Sequence, residues 1–349
     1  MTEKTTEQLL REQAEAVLKV QEEALKTQMQ MMEQLYGDNP EMLAMMKRQI
    51  QQSLQNQSSL VAQAQTAAMQ AVQAQQNGQP FDPQSLIQTL QNNAQAMGYG
   101  LDAQGDPTEG YDSAWGFIQQ LQTDFTEPEA QVVPLGSKPA RIFGYLLSGI
   151  VGNINGHELD QLAPEEHEPF FEEKVQTILR EYWGITNTDE LGERLSDLIE
   201  EGGMAAEYAA YAQAETFEEI AQSLDPEDMS GAMQRWLLAR HFKDTVSPEF
   251  MRGWDIGRAA ALVRWGYFVG MIDEQTAESI LEVCAQEASA RYSGWREFAE
   301  SYLFGGLFWR IAAGEDAAAD WLEDAGGACA ELLRADGEWT RYPWVKAFA

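Results

Sequence analysis

The chain has 349 residues, of which 44% are hydrophobic and 10% aromatic, and its formal net charge is −33. This length and apolar content allow a sizeable core in two domains, or in one domain with an extension. The acidity argues against binding to nucleic acid or to anionic membranes, which both need clustered cations, but it is compatible with a basic protein partner.

Cysteine use and the first residues predict a cytoplasmic, bacterial-type protein. Cys284 and Cys329 lie in separate predicted helices without CxxC spacing, so we expect a reducing compartment and no disulfide. Residues 1–8 show no basic segment followed by an apolar one, so we expect no signal peptide. The most apolar stretch, residues 142–154, is too short to span a membrane and is interrupted by glycines.

The first hundred residues differ in composition from the rest, because they hold 22 glutamines and none of the ten tryptophans. Apolar residues spaced three and four apart predict long helices over 5–36 and 41–76, separated by a Gly-Asp-Asn-Pro break. We therefore predict a helical hairpin or coiled-coil region over 1–97. Its thin Ala/Met/Gln seam favours packing against a third element or, through residues 5–76, against a second copy. Glutamine-rich disorder over 55–80 is the alternative.

A linker and an acidic helical domain are predicted for the remainder. Glycine and proline concentrate in residues 98–113, which favours a linker. Residues that typically precede a helix mark several helix starts beyond it, among them Asn187 or Thr188, Ser247, Asp273 and Ser293. Residues 130–135 form the one segment that looks extended. We predict the all-α class, with an all-helical domain over 114–349 preceded by the N-terminal long-helix hairpin.

The segment 254–258 combines an aromatic residue, an acid, a glycine and a base within about one helical turn. Asp255 can pair along the helix with Arg258 and with Arg252, each three positions away. The group is either a buried ion pair that fixes helix packing, with Gly257 admitting a close neighbour, or a carboxylate site beside an aromatic wall. Nothing elsewhere supplies the base, nucleophile or ligands that a catalytic Asp255 needs, which favours the packing interpretation.

The remaining motifs do not indicate a metal site, a catalytic nucleophile or a phosphate-binding loop. The three histidines are dispersed and lack HExxH spacing, so we predict no metal site. Neither cysteine has a neighbouring histidine, and no GxSxG or phosphate-binding glycine motif occurs. Gly305 and Gly306 lie within a predicted helix flanked by aromatic residues, which indicates close helix crossing rather than a phosphate loop. We predict no cofactor.

A set of anchors with helical spacing runs through the second half of the chain. In order, they are Trp183-Gly184-Ile185, Trp254-Asp255 with Arg258, Ser293-Gly294-Trp295, Phe298, Tyr302, Gly305 and Trp309. Through these anchors, about residues 165–349 resemble the bacterial domain-of-unknown-function family 1266. The resemblance implies an all-helical bacterial cytoplasmic protein, and it implies no active site.

Together these observations favour a non-enzymatic interaction protein, such as an adaptor, an inhibitor or an immunity-type protein, whose acidic face binds a basic partner. Its expected binding or packing cluster contains Trp254, Asp255, Arg258, Trp295, Tyr302 and Trp309. The alternative is an enzyme of unrecognised class, in which Asp255 is the acid or base and Arg252 or Arg258 orients an anionic substrate. Nucleic-acid mimicry is a third reading, although it needs rows of acids and the acids here are scattered over many helices.

Overall fold

The computed structural model describes residues 109–222, 224–225 and 228–349. Helices make up most of these residues, which confirms the all-α class for this part of the chain. The predicted hairpin and the interface through residues 5–76 lie outside the described residues, as does the segment 55–80. Within the described ranges, no helix is long and apolar enough to cross a membrane.

The first described elements are α1 (Glu109–Gln119), α2 (Leu121–Asp124), β1 (Gln131–Val133), α3 (Lys138–Leu146) and α4 (Gly149–Asn155). Helix α3 begins after Ser137, whose side chain accepts a hydrogen bond from the main-chain N–H of Ala140. Helix α1 begins inside the predicted linker 98–113, so the last part of that prediction needs correction. Tyr111 is buried and packs against the ring of His241, and this contact attaches these residues to the helical domain.

The middle elements are α5 (Pro169–Trp183), α6 (Thr188–Ser196), α7 (Gly203–Gln213), α8 (Phe217–Ala221) and α9 (Met229–Phe242). Asn187 caps α6 as predicted, because its side chain accepts a hydrogen bond from the N–H of Glu190. A π-helical turn, Asp197–Glu201, follows α6. It ends at Gly202 and Gly203, whose φ angles of 90° and 44° lie in the left-handed region that favours glycine.

The last elements are α10 (Arg252–Phe268), α11 (Glu274–Arg291), α12 (Trp295–Arg310), a 3-10 turn (Ile311–Ala313), α13 (Glu315–Leu333), α14 (Glu338–Arg341) and β2 (Val345–Phe348). Asp273 caps α11 as predicted, by accepting a hydrogen bond from the N–H of Thr276. Helix α10 begins at Arg252, later than Ser247 predicts, because the Ser247 hydroxyl instead accepts from the N–H of Phe250 in a preceding turn. Gly294, rather than Ser293, is the cap residue of α12.

Helix α10 is the centre of the domain. Fifteen of its 17 residues are buried, and it packs against α7, α11 and α12. A helix that is covered around its whole circumference belongs to the interior of a protein rather than to its surface. Charged side chains on this helix therefore need partners inside the fold.

Strands β1 and β2 pair in parallel, with Gln131 opposite Val345. The extended segment over 130–135 is thus confirmed, whereas β2 was not predicted. Its four residues, Val-Lys-Ala-Phe, show too short a pattern to be separated from a helix end. The pairing joins two segments that lie far apart in the chain.

Candidate functional site on the central helix

Asp255 caps the amino-terminal end of α7. Its Oδ1 accepts a hydrogen bond from the N–H of Met204 (2.9 Å), and its Oδ2 accepts one from the N–H of Ala205 (3.1 Å). The side chain is 0% exposed, and a Cβ on Gly203 would lie 2.7 Å from Oδ1. Burial raises the pKa of Asp255 to about 6, while the two N–H groups and Arg252 lower it. At neutral pH the carboxyl group is therefore mostly ionised, with both oxygens already engaged.

Arg252, rather than Arg258, forms the ion pair with Asp255. Its Nη1 lies 3.6 Å from Oδ2 of the carboxylate. The same guanidinium donates to the main-chain carbonyls of Leu198 (2.9 Å) and Ile199 (2.6 Å), which belong to the π-helical turn. Arg252 thus donates to carbonyl groups at the end of one helical segment, and Asp255 accepts from N–H groups at the start of the next. We call these two residues the helix-break clamp.

Arg258 is held by tryptophan rings. Its Cζ lies 4.1 Å from the ring centre of Trp183, 4.6 Å from that of Trp254 and 5.5 Å from that of Trp309. Cations are attracted to the faces of indole rings. Burial lowers the pKa of Arg258 and nearby Tyr302 raises it, but an arginine keeps its charge under such conditions. We call Arg258 and these three tryptophans the Trp–Arg cluster.

Glycines make room for the aromatic rings of this region. A Cβ on Gly305 would collide with Trp254, and a Cβ on Gly306 would collide with the ring of Trp321. Gly257 likewise admits the tyrosine of α12, whose ring would lie 2.8 Å from an added Cβ. Glycine within a helix costs about 1 kcal/mol relative to alanine. Here that cost is explained by close packing, and the geometry agrees with the helix crossing predicted at Gly305 and Gly306.

Trp295 does not lie with Trp254, which corrects the predicted cluster. Its ring stacks on Trp339 with centroids 4.8 Å apart and planes 4° apart, and its indole N–H donates to the carbonyl of Tyr342. In α12, Trp295 precedes Trp309 by about four turns, or roughly 21 Å along the axis. Asp255 is therefore enclosed by α7 and Arg252, and Arg258 is contacted by the other members of the Trp–Arg cluster, not by Trp295.

A further arginine of α10, Arg264, was missed as a candidate. It is almost completely buried. Its Nη1 donates to Oγ of Ser148 (2.9 Å), its Nε to the carbonyl of Leu162 (3.3 Å), and its Nη2 to the carbonyls of Gln161 (2.8 Å) and Glu158. These acceptors fix the acidic loop between α4 and α5 onto the central helix. Arg264 thus anchors this acidic, proline-containing loop to the rest of the domain.

The histidines lie in three different environments. His157 is a buried residue of this loop, with its Nε2 3.8 Å from a carboxylate oxygen of Glu165. His167 stacks on Phe268, and His241 lies 2.7 Å from Asp112. In the part of the chain that the structure describes, no three His, Cys, Asp or Glu side chains are grouped as metal ligands would be.

Fold and clusters together define an α-helical domain built around one buried helix, whose arginines contact the surrounding elements. Residues 178–344 match the model of a family described as "Protein of unknown function (DUF1266)". The predicted resemblance is thereby confirmed, and all the residues of the Trp–Arg cluster and of the helix-break clamp lie within the matched range. No curated protein and no solved structure matches the chain.

Proposed function

We propose that this domain is a non-enzymatic protein-interaction module, an adaptor or an inhibitory protein of the immunity type, whose acidic surface binds a basic protein partner. The observation that carries the proposal is helix α13, which has six carboxylates and no basic residue in 19 positions. Its exposed acids recur along the helix, and they are Asp316, Asp320, Glu323, Asp324 and Glu331. We call these five residues the acidic face of α13.

The acids of the acidic face differ from those of several other helices, which form ion pairs with neighbouring arginines. Arginine–carboxylate pairs three or four positions apart occur at the ends of α6, α11 and α14, namely Arg194–Asp197, Arg291–Glu287 and Arg341–Glu338. No acid of the acidic face forms an ion pair with a described residue. Like charges at i,i+4, such as Asp316 and Asp320, cost about 0.2–0.5 kcal/mol per pair. A basic partner would relieve this repulsion and would be steered towards the face.

The alternative enzyme has less support from the geometry. Both oxygens of Asp255 accept main-chain hydrogen bonds and the side chain is closed to solvent, so a substrate does not reach it. The two cysteines are also buried. Burial raises the pKa of Cys284 to about 12, and it raises that of Cys329 as well. A buried thiol with a raised pKa supplies little thiolate for nucleophilic attack.

The test is affinity capture from an extract of the native host, with the full-length chain as bait and mass spectrometry as readout. One variant neutralises four acids of the acidic face, and it is D316N/D320N/E323Q/D324N. The matched control removes the same number of exposed charges from dispersed positions, and it is E129Q/E173Q/E218Q/D244N. We expect basic proteins to bind the natural chain and the control but not the variant of the acidic face.

Salt provides a second criterion. Raising the ionic strength from about 0.1 M to about 1 M shortens the Debye length from about 10 Å to about 3 Å, so a partner held by the acidic face should be released. Equal losses in both variants would mean that only total charge matters. A captured partner that resists both salt and neutralisation of α13 would contradict the proposal.

A further inference from the structure

We propose that the Trp–Arg cluster is a binding site for a carboxylate, to which the N–H groups of the Arg258 guanidinium donate hydrogen bonds. This inference is independent of the basic partner proposed above, because it concerns other residues and a ligand group of opposite charge. The rings of Trp183 and Trp254 approach Arg258 closely, at 4.1 Å and 4.6 Å from its Cζ. Cation–ring contacts of this kind involve no acceptor oxygen, so the N–H groups of Arg258 are left for another partner.

The donors of the cluster are unused within the described part of the chain. Arg258 donates no hydrogen bond to any described residue, and neither do the indole N–H groups of the three cluster tryptophans. None of these nitrogens is among the buried atoms that lack a partner, so each keeps contact with solvent. Three of the seven tryptophans outside the cluster, Trp236, Trp295 and Trp339, instead donate their N–H groups to main-chain carbonyls. The cluster therefore offers donors without acceptors.

The surrounding charges also suit an anion. The Cζ of Arg310 lies 5.5 Å from the ring centre of Trp309, and Arg310 forms no ion pair with a described residue. Arg194 is near enough that its charge lowers the pKa of Arg258. Asp255, the acid of α10, also attracts Arg258, but both of its oxygens accept hydrogen bonds from α7 and it forms its ion pair with Arg252. These arginines form a locally positive region in a chain whose net charge is −33.

A carboxylate fits this receptor better than a spherical anion. Its two oxygens match the fork of the guanidinium and form two parallel hydrogen bonds. The indole rings beside the fork favour a ligand whose carboxylate is attached to an apolar body. Phosphate shares the oxyanion chemistry but not the planar shape, so it is the competing ligand in the test.

The experiment follows the tryptophan fluorescence of the full-length chain during titration with hexanoate, acetate, inorganic phosphate and chloride at constant ionic strength. We expect a saturable change with hexanoate, weaker binding of acetate and no saturable change with chloride. Fluorescence is suitable because three tryptophans surround the receptor. Equal responses to chloride and carboxylates would overturn the site, and about tenfold tighter binding of phosphate than of hexanoate would overturn the carboxylate assignment.

Two substitutions assign the binding to Arg258. Arg258→Lys keeps a cation between the rings but removes the fork, so we expect hexanoate affinity to fall about tenfold. Arg258→Met should abolish saturable binding, while Arg334→Met, an exposed arginine at the far end of α13, should leave it unchanged. Circular dichroism checks that each variant is folded; if Arg258→Met is not, Arg258→Lys decides. Unchanged affinity in Arg258→Lys, or an equal loss in Arg334→Met, would overturn the proposal whatever the capture experiment on α13 shows.

Discussion

Arg258 and Arg264 lie in the same helix, within two turns of each other, yet the fold satisfies them in different ways. Arg264 donates hydrogen bonds to a hydroxyl and to three carbonyls, whereas Arg258 is contacted by three tryptophan rings. The role of an arginine inside the domain therefore depends on its hydrogen bonds and not on its burial alone. A guanidinium that donates to four oxygen atoms of the fold anchors the structure, while one contacted by aromatic rings keeps its donors for a ligand.

The largest expected effect separates the two arginines directly. Arg264→Met should lower the free energy of unfolding by about 3–5 kcal/mol, because several enclosed oxygen atoms lose their donor at once. Arg258→Met removes mainly cation–ring contacts and should cost about 1–2 kcal/mol. Urea denaturation followed by circular dichroism measures both values. Equal losses would mean that the two arginines have the same structural role and would break the comparison.

The helix-break clamp extends the comparison to the amino-terminal end of α10. Asp255→Ala should lower the free energy of unfolding by about 2–4 kcal/mol, since two main-chain N–H groups and Arg252 lose a buried acceptor. Asp273→Ala is the matched control, because it removes an exposed helix cap worth about 1 kcal/mol. If both substitutions cost the same in chemical denaturation, Asp255 is not a packing residue, and the enzyme alternative regains support.

Packing against the Trp–Arg cluster can be probed with two glycines. Gly305→Ala places a methyl group against Trp254 and should lower the free energy of unfolding by about 1–3 kcal/mol. Gly327→Ala, in α13, meets nothing within 4 Å and should raise it by about 0.5–1 kcal/mol. The two thermal unfolding midpoints should therefore move in opposite directions. A neutral Gly305→Ala would show that Trp254 can shift, and so that Arg258 is loosely held.

A smaller and pH-dependent effect on the free energy of unfolding is expected from His157, which lies near Arg264. Burial, together with the charges of Arg264 and Lys174, lowers the pKa of His157 to about 3. Between the ordinary histidine pKa and this value, the unfolded chain binds a proton that the folded chain does not, so acidification reduces stability. At pH 5 the loss through His157 should be about 2 kcal/mol.

The measurement compares His157→Gln with the natural chain by denaturation at several pH values from about 7.5 to about 5. The difference in unfolding free energy between them should shrink as the pH falls, because the variant lacks the titrating group. His167→Gln, at an exposed histidine, is the control for removal of an imidazole side chain. A constant difference across the range would show that His157 titrates normally in the folded chain.

Much of the local structure could be predicted from the sequence. Short polar side chains before apolar runs identified the cap Asp273 and limited the cap of α6 to Asn187 or Thr188, because capping depends on neighbours within four positions. The same applies to the segment 130–135, whose apolar residues indicate extended chain. Asp255 was singled out as either a packing residue or a site, although its partners on α7 could not be foreseen.

The roles of Arg264 and Trp295 could not be predicted, because they depend on contacts between residues far apart in the sequence. The acceptors of Arg264 lie more than 100 positions away in the sequence, and nothing local indicates them. One signal was present: Arg264 is the single charge in the otherwise uncharged run 259–268, where an arginine is rarely buried without partners. Trp295 was misplaced because shared resemblance to a family does not tell which of two clusters an aromatic residue joins.

The parallel pairing of β1 with β2 has a consequence for how the chain reaches its fold. Gln131 pairs with Val345, so this ladder closes a loop of about 200 residues, and the entropy of closure must be offset by the helices packed in between. Contacts of such high sequence separation form late. Because β1 is synthesised long before β2, we expect its pairing edge to stay unpaired until residues 345–348 have left the ribosome.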